Sequence, residues 1–113
     1  MKRGDIVLVS LPGDYGKTRP AVVIQNDDVA DILRSCTILL MTSELVSGSL
    51  YRLTVEPSAE NGLDRTTQVQ VDKIASPPKE KLRGPIGKLT VDQVRDIDLA
   101  LLRHLDIRGH GIE

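Results

Sequence analysis

Along the first two thirds of the chain, apolar residues come in short bursts separated by glycine, proline and polar clusters. GDIVLVSL (Gly4 to Leu11) is rich in β-branched residues and is closed by Pro12-Gly13, which predicts a first strand. Ala21 to Gln25 and Thr37 to Met41 are almost continuously apolar, so each predicts a strand covered on both sides or central in its sheet. Tyr51 to Glu56 alternates instead, as a half-exposed strand does. Thr66 to Ile74 alternates too, with Thr67, Val69 and Val71 on one face and Gln68, Gln70 and Asp72 on the other. Between strands, Asn26 or Asp27 can cap one or two helical turns over Asp28 to Leu33. Pro77-Pro78 ends the last alternating run, and Lys79 to Arg83 has room for one helical turn.

The clearest helix comes last. Thr90 and Gln93 form a T-x-x-Q capping box, and Val94, Ile97, Leu101 and Leu105 follow at helical spacing. Leu102 widens that stripe beyond what one small sheet needs, which predicts cover from a partner subunit. Strands first and a packed helix last define a mainly β (α+β) class: a small, strongly curved antiparallel barrel or sheet with a C-terminal helix. All 113 residues fit one domain, with 106–113 expected as a frayed tail.

Composition narrows the chemistry. The chain has no Phe or Trp and only two tyrosines, Tyr15 and Tyr51, so its core must be built from Val, Ile and Leu. That scarcity argues against a sequence-tolerant single-strand binder, which stacks bases on several aromatic rings. A net charge of −1 argues against non-specific nucleic-acid binding, yet leaves room for a small site with a few placed cations. The lone Cys36 forms no intramolecular disulfide or cysteine-based metal cluster and reads as a small core residue. No signal peptide or membrane-length apolar run is evident, so a soluble cytoplasmic protein is expected.

Several chemistries fall away on spacing. Asp27, Asp28 and Asp31 match a helix N-terminus, and His104 and His110 have no ligand-spaced partner, so no metal site or cofactor is expected. No G-x-S-x-G is present, and neither histidine lies near a predicted strand end to activate a nucleophile. Gly16-Lys17-Thr18 ends like a phosphate loop, but Leu11 stands where the first glycine belongs and a strand follows instead of a helix. What remains is TRPAVVIQND (Thr18 to Asp27), with Arg19 fixed before Pro20 at the mouth of a strand, and ILLMTSE (Ile38 to Glu44), with Thr42 and Ser43 at the end of another. A strand-end arginine and hydroxyl suit a phosphate site, although composition alone favours an arginine bonded to a carboxylate and a threonine chosen for the strand. RNA cleavage needs no protein nucleophile, because the ribose 2′-hydroxyl attacks the adjacent phosphorus. Arg19 supplies fixed charge, Thr42 a donor, and Asp72 either a proton acceptor or a solvated surface carboxylate.

These segments, together with QVQVDKI and IGKLTVDQVRDIDLALLRHL, resemble the MazF/PemK family of toxin endoribonucleases over Lys2 to Leu105. The resemblance implies a curved, SH3-like β-barrel of the PemK/CcdB type and a homodimer. It implies metal-independent cutting of single-stranded RNA to 2′,3′-cyclic phosphate and 5′-hydroxyl ends. It also implies an antitoxin that covers the groove with an acidic, partly disordered segment. The family's catalytic arginine falls on Arg19 and its strand-end threonine on Thr42. RNA contacts are then expected at Tyr15, Gly16, Lys17, Ser43, Arg65 and Gln70. The sequence departs from the family in two places: the first loop lacks the G-x-E-Q segment, and Gln70 stands where some members have an arginine. A non-enzymatic or degenerate member acting by protein binding, in the manner of a gyrase poison or as an antitoxin partner alone, is the alternative.

Overall fold

Six strands form one antiparallel sheet in the order β4-β5-β3-β2-β1-β6. They are β1 (Asp5–Val9), β2 (Arg19–Val23), β3 (Ile38–Thr42), β4 (Arg52–Val55), β5 (Thr67–Ala75) and β6 (Leu82–Lys88). A short helix α1 (Asp27–Ala30) follows β2, a 3₁₀ turn (Lys79–Lys81) precedes β6, and α2 (Val91–His104) closes the chain. This is a computed structural model that describes residues 1–13 and 16–109. Tyr15, and His110 with the rest of positions 110–113, lie outside the described residues.

Alternation along the strands builds two cores, one on each face of the sheet. Ile6, Val22, Leu39, Met41, Val55 and Val69 pack with Leu89 and Ile97 on the α2 side. Val7, Val9, Ala21, Val23, Ile38 and Leu82 pack with Cys36 on the other. Cover on both faces explains why β2 and β3 read as unbroken apolar runs rather than as alternating ones. Each of these fully buried aliphatic side chains contributes roughly 1.5–3 kcal/mol relative to exposure.

Helix α2 starts on the predicted capping box, with Gln93 N–H donating to Thr90 Oγ1 (3.1 Å) and Thr90 N–H to Gln93 Oε1 (2.9 Å). It ends in a Schellman motif. Asp106, at φ 53°, donates its N–H to the Arg103 carbonyl, and Ile107 donates to the Leu102 carbonyl (2.9 Å). The first residues of the expected frayed tail are therefore hydrogen-bonded to the helix end. Arg3 ties the helix to the sheet through Asp98 (2.5 Å) and the Ile24 carbonyl (3.1 Å).

Three expectations change. Strand pairing leaves the sheet open instead of closing it as a barrel, because β4 and β6 are its two edges. The loop after β4 spans the gap: Lys88 N–H donates to the Glu60 carbonyl (2.9 Å), and the loop packs against Ile86 and Gly87. β6 takes the last two residues of the helical turn expected over Lys79 to Arg83, which shrinks to Lys79–Lys81, and runs on to Lys88 through residues whose pattern predicted no element. Its Gly84-Pro85 pair argues against a strand by composition, but proline is tolerated on an edge, where an N–H is dispensable. Finally, the polar face of β5 is not exposed over its first half: Gln68 and Gln70 are buried with Val69 and Val71.

Candidate active site

Antiparallel pairing places β2's first residue and β3's last at the same end of the sheet. Val9 pairs with Arg19, Thr42 with Gln68, and Gln68 with Thr54. The observed β2–β3 pairing stops at Ala21–Leu40, so Arg19 and Thr42 stand just past it on adjacent strands, where both line one cleft.

A cleft of about 680 Å³ lies over this end of the sheet. Leu8, Pro20, Met41 and Ile86 give it an apolar lining. Lys17, Arg19 and Arg65 bring three cations, Glu44 and Asp64 two carboxylates, and Thr18, Thr42, Ser43 and Thr67 bring hydroxyls. Among the described residues of its lining, cations outnumber carboxylates by one, in a chain whose net charge is −1. Such a site can attract a polyanion locally even though the chain as a whole carries no net positive charge.

Local structure fixes several of these groups. Ser10 Oγ donates to the Lys17 carbonyl (3.1 Å) and pins the end of the first loop to β1. Gly16, at φ 77°, supplies the left-handed conformation that the loop needs just before Lys17. At the other side, Glu44 N–H donates to Thr42 Oγ1 (3.1 Å). One lone pair of that hydroxyl is thereby engaged in the turn, and its proton is left to donate elsewhere. Asn61, 2% exposed, shapes the cleft wall. Its Oδ1 accepts from Ser58 N–H and Leu63 N–H (3.0 Å each), and its Nδ2 donates to the Glu56 carbonyl (2.8 Å).

The structure gathers Lys17, Arg19, Thr42, Ser43 and Arg65 around one cleft, with Gly16 adjoining Lys17. Tyr15 lies outside the described residues. Gln70 is buried away from the cleft lining, and its Oε1 has no hydrogen-bond partner among the described residues. Asp72 is exposed and pairs with Lys73 at 3.9 Å. It stands four residues beyond Gln68, about 13 Å along the strand. Tyr51 stands outside the cleft, edge-on to His104 at 5.6 Å. Sequence reasoning missed Glu44 and Asp64 as cleft carboxylates and Asn61 as the support of its wall. Glu44 stood in the quoted ILLMTSE segment, whereas nothing local distinguishes Asp64 or Asn61 from other loop residues. Among the described residues, no group of three or more His, Cys, Asp or Glu side chains is placed to hold a metal ion.

A six-stranded open sheet with a C-terminal helix and a strand-end cleft of arginine, lysine and hydroxyl groups defines a small, mainly β fold with a candidate anion site. The chain belongs to the family of PemK-like, MazF-like toxins of type II toxin–antitoxin systems, whose model matches residues 2–105. A relative in Mycolicibacterium smegmatis, named "Probable endoribonuclease MazF", is 34% identical over 110 residues, 96% of this chain and all of that protein. Among solved structures, the Mycobacterium tuberculosis toxin MazF-mt6 superposes with a TM-score of 0.78 at 25% identity, covering 92% of this chain and 98% of that one. A mycobacterial endoribonuclease solved in complex with its cognate antitoxin gives a TM-score of 0.81 at 18% identity, covering 96% and 97%, and shares the fold.

Proposed function

We propose that this chain is the toxin of a toxin–antitoxin pair and that it cleaves single-stranded RNA at short sequence motifs without a metal ion. In this reading the ribose 2′-hydroxyl attacks the adjacent phosphorus. A 2′-oxygen–phosphorus bond forms, the 5′-oxygen–phosphorus bond breaks, and the products carry 2′,3′-cyclic phosphate and 5′-hydroxyl ends. Arg19 stabilises charge on the pentavalent phosphorane and delivers a proton to the leaving 5′-oxygen, and it regains that proton from solvent as Glu44 releases the one taken from the 2′-hydroxyl. Thr42 donates to a non-bridging oxygen, and Lys17, Ser43 and Arg65 bind the flanking phosphates. The 2′-hydroxyl proton passes to Glu44, the cleft carboxylate attached to the Thr42 turn, in preference to the distant Asp72.

The observation that carries the reading is that Arg19 and Thr42, at the ends of adjacent strands, line one cleft with Lys17 and Arg65. Exposed Leu99, Leu102 and Leu105 on α2 support a homodimer, since a lone subunit leaves that apolar stripe in water. The cationic cleft suits an acidic antitoxin segment that orders on binding. Long RNA incubated in EDTA with the purified chain should yield discrete fragments with cyclic phosphate and 5′-hydroxyl ends. Arg19→Ala should abolish them while its circular dichroism matches the wild type. Undiminished cutting by that folded variant, or fragments with 3′-hydroxyl ends, overturns the assignment.

A further inference from the structure

We propose that Gln68 and Arg52 are positioning residues: together they clamp the segment after β3 and so hold the Thr42 hydroxyl in its working orientation. The inference rests on the ribonuclease reading for its kinetic consequences, while its structural half stands separately. Glu44 to Gly48, the segment that leaves the sheet after Thr42 and Ser43, is exposed, and it contributes no strand of its own. A loop of this kind ordinarily samples many conformations. Here two side chains replace the missing ladder.

Gln68 Oε1 accepts from Val46 N–H (3.0 Å), and Gln68 Nε2 donates to the Val46 carbonyl (3.0 Å). The side-chain amide thus pairs with Val46 as a backbone peptide pairs across a β-ladder. The same Nε2 donates to Thr54 Oγ1 (3.1 Å), and Oε1 also accepts from Arg52 Nη1 (3.1 Å). Both donors and both lone pairs of the amide are used, which is the full capacity of a glutamine. Gln68 is only 5% exposed, so each of those bonds is costly to lose. Arg52 Nη1 completes the clamp by donating to the Glu44 carbonyl (3.0 Å). Glu44 in turn donates its N–H to Thr42 Oγ1 (3.1 Å).

The chain of contacts therefore runs from Gln68 and Arg52 through Glu44 to the hydroxyl that donates to the scissile phosphate in the proposed reaction. Neither Gln68 nor Arg52 lines the cleft; both stand with Val46 and Thr54 around a separate, smaller hollow of about 340 Å³, and in this proposal they act on the cleft through the loop. Misplacing a catalytic group by about 1 Å can cost on the order of 100-fold in rate. The positive charge that binds RNA stays where it is, because Lys17, Arg19 and Arg65 are untouched.

The test is a kinetic cycle read beside amide exchange. Gln68→Met and Arg52→Met should each lower kcat by about 10- to 100-fold with KM changed less than about threefold. Arg52→Lys should restore most of the rate, because a single nitrogen makes both Arg52 bonds and an ammonium has donors for both. In a Thr42→Val background, Gln68→Met should cost nothing further, since the hydroxyl it positions is gone. Exchange at the Glu44 and Val46 amides should accelerate in Gln68→Met and Arg52→Met alone. Wild-type kcat in both methionine variants, or the same loss in the presence and absence of the Thr42 hydroxyl, overturns the proposal. Unchanged exchange overturns the clamp itself. Intact RNA with the wild type, alongside faster Glu44 and Val46 exchange in the variants, defeats the ribonuclease reading and leaves the clamp standing.

Discussion

Gly62→Ala should be far more damaging than Gly48→Ala, although both glycines adopt nearly the same left-handed conformation, at φ 70° and 69°. An alanine held in that region costs about 1 kcal/mol. At Gly48 nothing lies within 4 Å of an added Cβ, so this is the whole effect. At Gly62 the Cβ would stand 2.2 Å from the Ile86 carbonyl oxygen and 2.9 Å from its carbon. Ordinary contact is near 3.5 Å, so the loop must retreat from β6 by about 1 Å. That movement strains Lys88 N–H to the Glu60 carbonyl (2.9 Å) and Gly62 N–H to the Ser58 carbonyl (3.3 Å). Each such hydrogen bond is worth about 1 kcal/mol net. The expected losses are then about 3 kcal/mol for Gly62→Ala and about 1 kcal/mol for Gly48→Ala, against a total of roughly 5–15 kcal/mol for an ordinary domain. Urea unfolding followed by far-ultraviolet circular dichroism gives both values; one fixed protein concentration removes any effect of self-association. Equal losses in the two variants would refute the idea that the loop after β4 is held against the opposite edge of the sheet.

Thr90→Ala removes half of the α2 capping box and should lower stability by about 1 kcal/mol in the same assay, with RNA cleavage at the wild-type rate below the transition. Asp72→Asn should leave the cleavage rate within about twofold in a single-turnover assay, because the side chain stands about 13 Å along β5 from the residue paired with Thr42. Gln70→Met buries an apolar group where an amide oxygen has no partner, so its urea midpoint should equal or exceed the wild type's. Burial pushes the Cys36 thiol up, with Lys79 and the N-terminal ammonium pulling part of the way back. The native thiol should react slowly with a disulfide reagent and rapidly in urea. A raised thiol favours folding fully below the ordinary thiol range and loses that contribution as pH climbs through it. Cys36→Ala should therefore show a flatter alkaline decline in urea midpoint than the wild type.

Much of this molecule was legible along the chain because its signals are local. The Thr90–Gln93 box needs only residues three apart, and it forms as read. Continuous apolar runs marked the strands that the sheet covers on both faces. Arg19 and Thr42 were identifiable as strand-end groups from Pro20 and from the end of an apolar run. The residue pattern alone did not show β6, because glycine and proline report backbone preference, whereas the edge position that tolerates them is a property of the whole sheet.

The sequence by itself determined which residues are strand-like, where the last helix begins, and which polar groups stand at strand ends, since each follows from spacing and backbone preference within a few residues. Bringing Arg19 and Thr42 to one cleft was left to the tertiary structure, because strand order joins positions 23 residues apart. That structure likewise decided that Gln68 is a buried clamp and not a solvated face. An alternating pattern states which residues share a side, but only packing determines what covers that side, and here an exposed loop folds down to use the amide as its missing strand.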